Sequence, residues 1–227
     1  MSLSTGRGPL SARRAGRFTA PVPDGVAYIE PFRRRVRATK DGVGVVDSER
    51  VLLVHRAGHP PAYAIPADDV DGVPAEPEPD APGYVTVAWD AVDAWFEEDE
   101  RLFGHTRNPY HRVDCLRSGR RLWVTAAGTV LVDTTDTLAV FETALDPRLY
   151  VDPRHVRTDL LEQSATTSYC PYKGTATYWS ARIGDELFED IAWSYEDPLP
   201  ESTQLGRFLS FDETRVDLQH DLPPASS

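Results

Sequence analysis

The feature that most constrains this chain is an internal repeat: residues 36–70 align with residues 122–156 at a constant shift of 86, with no gap. Gly42 falls on Gly128, Val46-Asp47 on Val132-Asp133, Leu52 on Leu138, Val54 on Val140, Pro61 on Pro147 and Val70 on Val156. Each copy reads as a strand, a Gly-containing turn, a short apolar strand ending in Asp, a polar turn and an alternating strand. Runs of this kind bounded by Gly, Asp and Ser are antiparallel hairpins. Two more blocks recur in the same order. Ala94-Trp95-x-x-Glu98-Asp99 matches Ala192-Trp193-x-x-Glu196-Asp197, and Arg112-Val113-Asp114 matches Arg215-Val216-Asp217. A residue needed only for the frame should stand in both copies, so Trp95 and Trp193 read as core.

The expected fold is mainly β: two small antiparallel β domains in tandem with a few short helices. Nineteen prolines, fifteen glycines and a single methionine agree with many turns and short elements. Residues 1–25 hold Arg7, Arg13, Arg14 and Arg17 among Ser, Gly and Ala, and read as a disordered tail. Residues 30–118 form a first, degenerate copy and residues 119–221 a second; residues 223–227 look untethered. Short helices are expected within 66–70, 153–161 and 201–209. The last carries Leu205, Phe208 and Leu209 at helical spacing.

A net charge of −12 argues against a phosphate-tracking surface, so no duplex nucleic acid is expected as a partner. Nothing approaches 18 consecutive apolar residues, so no membrane span is expected. Arg13-Arg14 lacks the apolar stretch of an export signal. Two cysteines, Cys115 and Cys170, without a CxxC motif favour a reducing compartment, with cytoplasm the default.

The copies differ most in the middle. The second carries Tyr169-Cys170-Pro171-Tyr172-Lys173-Gly174 where the first has a shorter, acidic, Pro-rich loop at 73–83. That block, with Ile191-Ala192-Trp193-Ser194-Tyr195-Glu196-Asp197-Pro198 and Arg215-Val216-Asp217, resembles the bacterial family of the domain of unknown function numbered 427. Gly104-His105-x-Arg107-Asn108-Pro109-Tyr110-His111-Arg112-Val113-Asp114 is similar to the tandem form of that family. The resemblance covers roughly residues 33–220 and implies a small, mainly antiparallel β domain. It brings no activity and no catalytic residue. The family is sometimes filed beside nucleotidyltransferases, which need a Gly-Ser turn and two carboxylates on one strand to hold Mg²⁺ against a triphosphate. Asp90 and Asp93 have the wrong spacing for one strand face, and no Gly-Ser precedes them.

The candidate ligand-binding residues are Cys170, Tyr172, Lys173, Trp179 and Tyr195. Pro and Gly make residues 170–174 a turn, which either fixes sheet register or holds a ligand. A thiol on such a turn near a lysine can also serve as a nucleophile. Tyr172, Trp179 and Tyr195 supply rings with polar tips for a pocket wall. No metal is expected: His55 and His59 are four apart but precede Pro60-Pro61, and His105 and His111 flank Asn108-Pro109 without thiolate partners. The leading function is binding of a small molecule or peptide-like group by the C-terminal copy. The alternatives are an enzyme using Cys170 or Lys173, and a protein-interaction module using edge strands and the acidic loop 76–80. No cofactor is named by these residues.

Each copy alone is short of apolar area to bury, and the short link from Asp114 to Leu122 leaves no room for a flexible spacer. A fragment of residues 122–222 should therefore melt below the full chain. An equal thermal midpoint by circular dichroism would contradict this.

Overall fold

The 86-residue shift holds in three dimensions, beginning with the first hairpin of each copy. Asp41 and Gly42 take φ of 51° and 75°, and Ala127 and Gly128 take 46° and 75°. Two successive residues at positive φ make a type I′ turn, whose twist matches the strands it joins. Both hairpins then slip register at the same place, between Ala38 and Thr39 and between Val124 and Thr125. The bridges Val46 to Val70 and Val132 to Val156 also coincide.

A computed structural model describes residues 3–223 of the chain. The contacts divide it into two units, Met1–His111 and Arg112–Ser227. The first contains β1 (Ala27–Pro31), β2 (Val36–Lys40), β3 (Val43–Ser48), β4 (Leu52–Arg56), β5 (Ala62–Pro66), β6 (Glu76–Pro77), β7 (Tyr84–Thr86), β8 (Ala94–Glu97) and β9 (Glu100–Leu102). They form two antiparallel sheets, ordered β1-β4-β5-β7-β6 and β3-β2-β8-β9. The second contains β10 (Val113–Ser118), β11 (Leu122–Ala126), β12 (Thr129–Thr134), β13 (Thr137–Glu142), β14 (Arg148–Val151), β15 (Leu161–Cys170), β16 (Gly174–Ile183), β17 (Glu186–Tyr195), β18 (Leu209–Phe211) and β19 (Asp217–His220). Its sheets run β10-β13-β14-β18-β17-β16-β15 and β12-β11-β19. The fold is mainly β, and the helical turns among the described residues are short 3-10 segments.

In each unit apolar side chains from both sheets meet in one core, and the repeat fills it position by position. Val36, Ala38, Val46, Leu53 and Ile65 of the first core correspond to Leu122, Val124, Val132, Ala139 and Val151 of the second. The larger sheet of the second unit is buried on its other face too. There Val113, Cys115, Leu138, Val140, Tyr150, Tyr172, Ala176, Tyr195 and Leu205 form a further cluster.

Several sequence expectations need correction. The strand at 113–118 belongs to the second unit: β10 pairs with β13, Val113 opposite Glu142, just as β1 pairs with β4, Ala27 opposite Arg56. The repeat thus starts at β1 and β10. Trp95 and Trp193 are not equivalent. Trp95 on β8 lies opposite Ala38, and the residue in that place in the second unit, opposite Val124, is Leu218 on β19. Trp193 lies on β17, between Tyr178 and Ser210. The Arg-Val-Asp blocks likewise lead into different strands, β10 and β19: Arg112 pairs with Asp114 at 2.7 Å, whereas Arg215 pairs with Asp212 at 3.4 Å. In 201–209 the helical part is Pro200–Leu205, and Leu209 opens β18. The N-terminal segment is not loose throughout: Ser4 is buried and donates to the His59 carbonyl at 2.7 Å. Residues 1, 2 and 224–227, parts of both expected tails, lie outside the described residues.

One buried polar group in the first unit makes stability depend on pH. His55 on β4 is fully buried, its Nε2 3.1 Å from Glu30 Oε1, while Tyr110 donates to Glu30 Oε2 at 2.6 Å. His55 Nδ1 has no partner among the described residues. Burial holds the His55 pKa below the ordinary value, outweighing the pull of Glu30, and burial does the same to His105. The unfolded chain binds these protons near the usual pKa of about 6.5, whereas the native state resists them. Stability should therefore fall as pH drops through that range. Thermal midpoints measured from pH 7.5 to 5.5 should decline, and His55→Gln should flatten the decline. An unchanged slope in the variant would contradict this.

Candidate functional site

Residues 170–174 close the hairpin of the two ten-residue strands β15 and β16, with Cys170 opposite Gly174. Gly174 has φ of +99°, which favours glycine, and a Cβ there would lie 3.4 Å from the Asp197 carbonyl oxygen. The turn is tied down by the segment that follows β17. Leu199 N donates to the Lys173 carbonyl at 3.1 Å, and Ser202 Oγ donates to the Tyr172 carbonyl at 3.1 Å. So anchored, the turn buries both Tyr172 and Lys173.

Lys173, one of only two lysines in the chain, donates from Nζ to Glu142 Oε2 at the end of β13. The side chains are 11% and 9% exposed. Its ammonium also stands 5.9 Å from the centre of the Tyr195 ring. Burial pushes the Lys173 pKa down, but Glu142 and Tyr150 push it up further, so the amine stays charged. Burial raises the pKa of the Tyr195 and Tyr150 phenols above the ordinary value, keeping both neutral.

Beside this ion pair lies a cavity of about 820 Å³. Of the five residues singled out in the sequence, Lys173 and Tyr195 line it, and Cys170, Tyr172 and Trp179 do not. Tyr172 packs in the cluster beneath the turn, with Cys170 against that cluster. Trp179 points to the opposite face of β16, packs against the main core and donates to Ser194 Oγ at 2.8 Å. Side chains alternate along a strand, so the cavity receives Tyr178 instead, opposite Trp193 on β17. Sequence reasoning missed Glu142, Arg148, Tyr150, Tyr178 and Trp193. A strict period-2 reading of β16 and β17 groups Ala176 and Tyr178 with Trp193 and Tyr195, and was the available signal. Glu142, the charged end of the apolar run Leu138-Ala139-Val140-Phe141, was another.

Three aromatic contacts organise the wall. Trp193 Nε1 donates to the Tyr150 hydroxyl at 3.0 Å, and the two rings meet edge to face at 6.4 Å. The Arg148 guanidinium sits 5.3 Å from the Trp193 ring centre. Tyr178 Oη lies 3.1 Å from Ser168 Oγ.

The first unit carries the same charge pair with reversed sign. Arg56 ends β4 where Glu142 ends β13, and it grips Glu78, with Nη1 donating to Oε2 at 3.2 Å. Asp80 accepts from the same guanidinium at 2.7 Å. Glu78 is buried, so the acidic loop spends its central carboxylate inside the unit.

The two cysteines are free. Burial raises the Cys115 pKa, which makes that thiol a poor nucleophile. Among the described residues, no three His, Cys, Asp or Glu side chains group as metal ligands. No helix there is long and apolar enough to cross a membrane.

Replacing Gly174 with alanine adds a Cβ at positive φ against the Asp197 carbonyl. The variant should lose about 1–3 kcal/mol of stability, the usual cost of such a backbone position, measured by urea unfolding. Gly184→Ala, at φ +61° with open space around the added Cβ, isolates the backbone cost from the contact. Equal losses at both positions would contradict the role given to the Asp197 contact.

Comparison with known proteins adds one family and no relative of described function. A family model with the description "Domain of unknown function (DUF427)" matches residues 28–82 and 114–221. A search of curated proteins finds no match. The two matched segments begin 86 residues apart, at β1 and β10, where the structure begins each copy, and together they take in more than half of the chain. The chain belongs to the DUF427 family and carries its domain twice.

Proposed function

We propose that the second unit binds a small molecule or a peptide-like group in the cavity beside Lys173 and Glu142. The observation that carries this reading is the cavity itself. Its volume of about 820 Å³ is within the range of ligand sites, and its wall joins aromatic rings to a few polar groups. In the first unit the matching strand position is engaged by the acidic loop through Arg56 and Glu78.

Lys173 favours binding over amine catalysis. A nucleophilic lysine needs a lowered pKa, whereas Glu142 keeps this one charged. The alternative of chemistry at Cys170 predicts selective alkylation of that thiol at neutral pH. The two free cysteines fit a reducing, cytoplasmic setting.

Native mass spectrometry of the purified full chain should detect a retained ligand, and Tyr178→Ala, which removes one ring from the wall, should release it. Tyr178 is only half-buried, so the variant should keep its fold. Retention unchanged in a folded Tyr178→Ala variant, or an empty protein that also fails to take up any small molecule from cell extract, would contradict the reading.

A further inference from the structure

We propose that the ligand of this cavity is an uncharged molecule with a largely apolar body. The inference rests on the binding role above and names its ligand class.

A count of the charges on the wall carries the argument. Three cations line the cavity, Arg120, Arg148 and Lys173, and so do four carboxylates, Glu142, Asp146, Asp212 and Glu213. Lys173 and Glu142, with side chains 11% and 9% exposed, bond each other. Arg120 donates to the Asp221 carbonyl, and Arg148 has Glu213 at 4.0 Å. Asp212 accepts from the Thr214 N–H at 2.9 Å and from its hydroxyl at 2.7 Å. Both signs are thus intermingled in nearly equal number, so a ligand ion of either sign meets repulsion along with attraction. It would also give up its hydration, a cost that a buried ion recovers only with a matched partner. An uncharged ligand incurs neither penalty.

The aromatic rings point the same way. An aromatic wall can draw in a cation over a ring face, but here the protein supplies the cations itself. Lys173 stands over the Tyr195 ring at 5.9 Å and Arg148 over the Trp193 ring at 5.3 Å. The polar groups among the rings are engaged as well. The Trp193 N–H donates to Tyr150, Ser210 Oγ donates to the Leu149 carbonyl at 3.1 Å, and Tyr178 Oη lies 3.1 Å from Ser168 Oγ. What the cavity leaves uncovered is apolar: Phe141 and Leu145 on its wall are 42% and 46% exposed. An apolar body seated against them takes that surface out of water.

Isothermal titration of the full chain at pH 7 tests this with two ring systems, each as a neutral, an anionic and a cationic probe. The indole set is 3-methylindole, indole-3-acetate and tryptamine; the phenol set is 4-ethylphenol, 4-hydroxyphenylacetate and tyramine. In at least one set the neutral probe should bind about tenfold or more tightly than both of its ions. Its affinity should be the same at low and high salt, because screening acts on charge. Tyr178→Ala, which removes a ring from the wall, should weaken it by about fivefold or more. An ion that binds as tightly as its neutral relative in both sets, neutral binding that falls with salt or survives Tyr178→Ala, or no neutral binding at all would each overturn the proposal. The binding role is tested separately by the retained-ligand experiment. A retained molecule with a net charge would overturn this inference and leave that role intact.

Discussion

The contact between Lys173 and Glu142 sets the geometry on which the candidate site depends. A charge withdrawn from water is kept only when it is paired, and both side chains are about nine-tenths buried. Pairing ties the 170–174 turn to the end of β13. The turn in turn fixes where β16 begins, and the alternation of β16 decides that Ala176 and Tyr178, rather than Thr177 and Trp179, face the cavity. The same constraint operates in the first unit with the signs exchanged, Arg56 on the strand and Glu78 on the following segment. A charged side chain at that strand end, answered by the next segment, is therefore a property of the frame. It forms part of the cavity wall in the second unit, where aromatic rings line the rest of that wall.

Much of the fold was legible because the repeat runs without gaps. An unbroken shift keeps every hairpin turn, bulge and core position in phase, so Asp41-Gly42 and Ala127-Gly128 announce the same turn. Legibility ends where the copies use different strands for similar words. Ala94-Trp95 and Ala192-Trp193 look alike, yet β8 flanks β2 whereas β17 flanks β18, because the second unit adds the long hairpin β15–β16 and extends its sheet with it. Sheet neighbours are set by long-range pairing, which a local match does not carry. The candidate site was half legible for the same kind of reason. Lys173 and Tyr195 are legible from the composition near the turn, but Trp179 and Tyr178 are neighbours in sequence, and one residue along a strand is the opposite face. Glu142 and Tyr150 lie about 30 and 20 residues before the turn, and only the pairing of the strands brings them to it.

The protein reuses one frame twice, and the segment that answers the strand-end charge differs between the copies. In the first, an acidic segment answers the strand-end cation. In the second, a turn supplies the answering charge, and a cavity with aromatic walls lies alongside. The family assignment agrees with the frame and is silent on the chemistry, so the chemistry rests on these side chains.

Lys173 and Glu142 form one buried charge pair, and a double-mutant cycle tests their mutual dependence most directly. Urea unfolding of Lys173→Met, Glu142→Gln and the combined variant gives the coupling between them. Lys173→Met alone should cost about 3–5 kcal/mol, because it strands a buried carboxylate, and adding Glu142→Gln should recover a large part of the loss. Losses that simply add would mean that the two charges do not depend on each other, and would contradict a coupled pair.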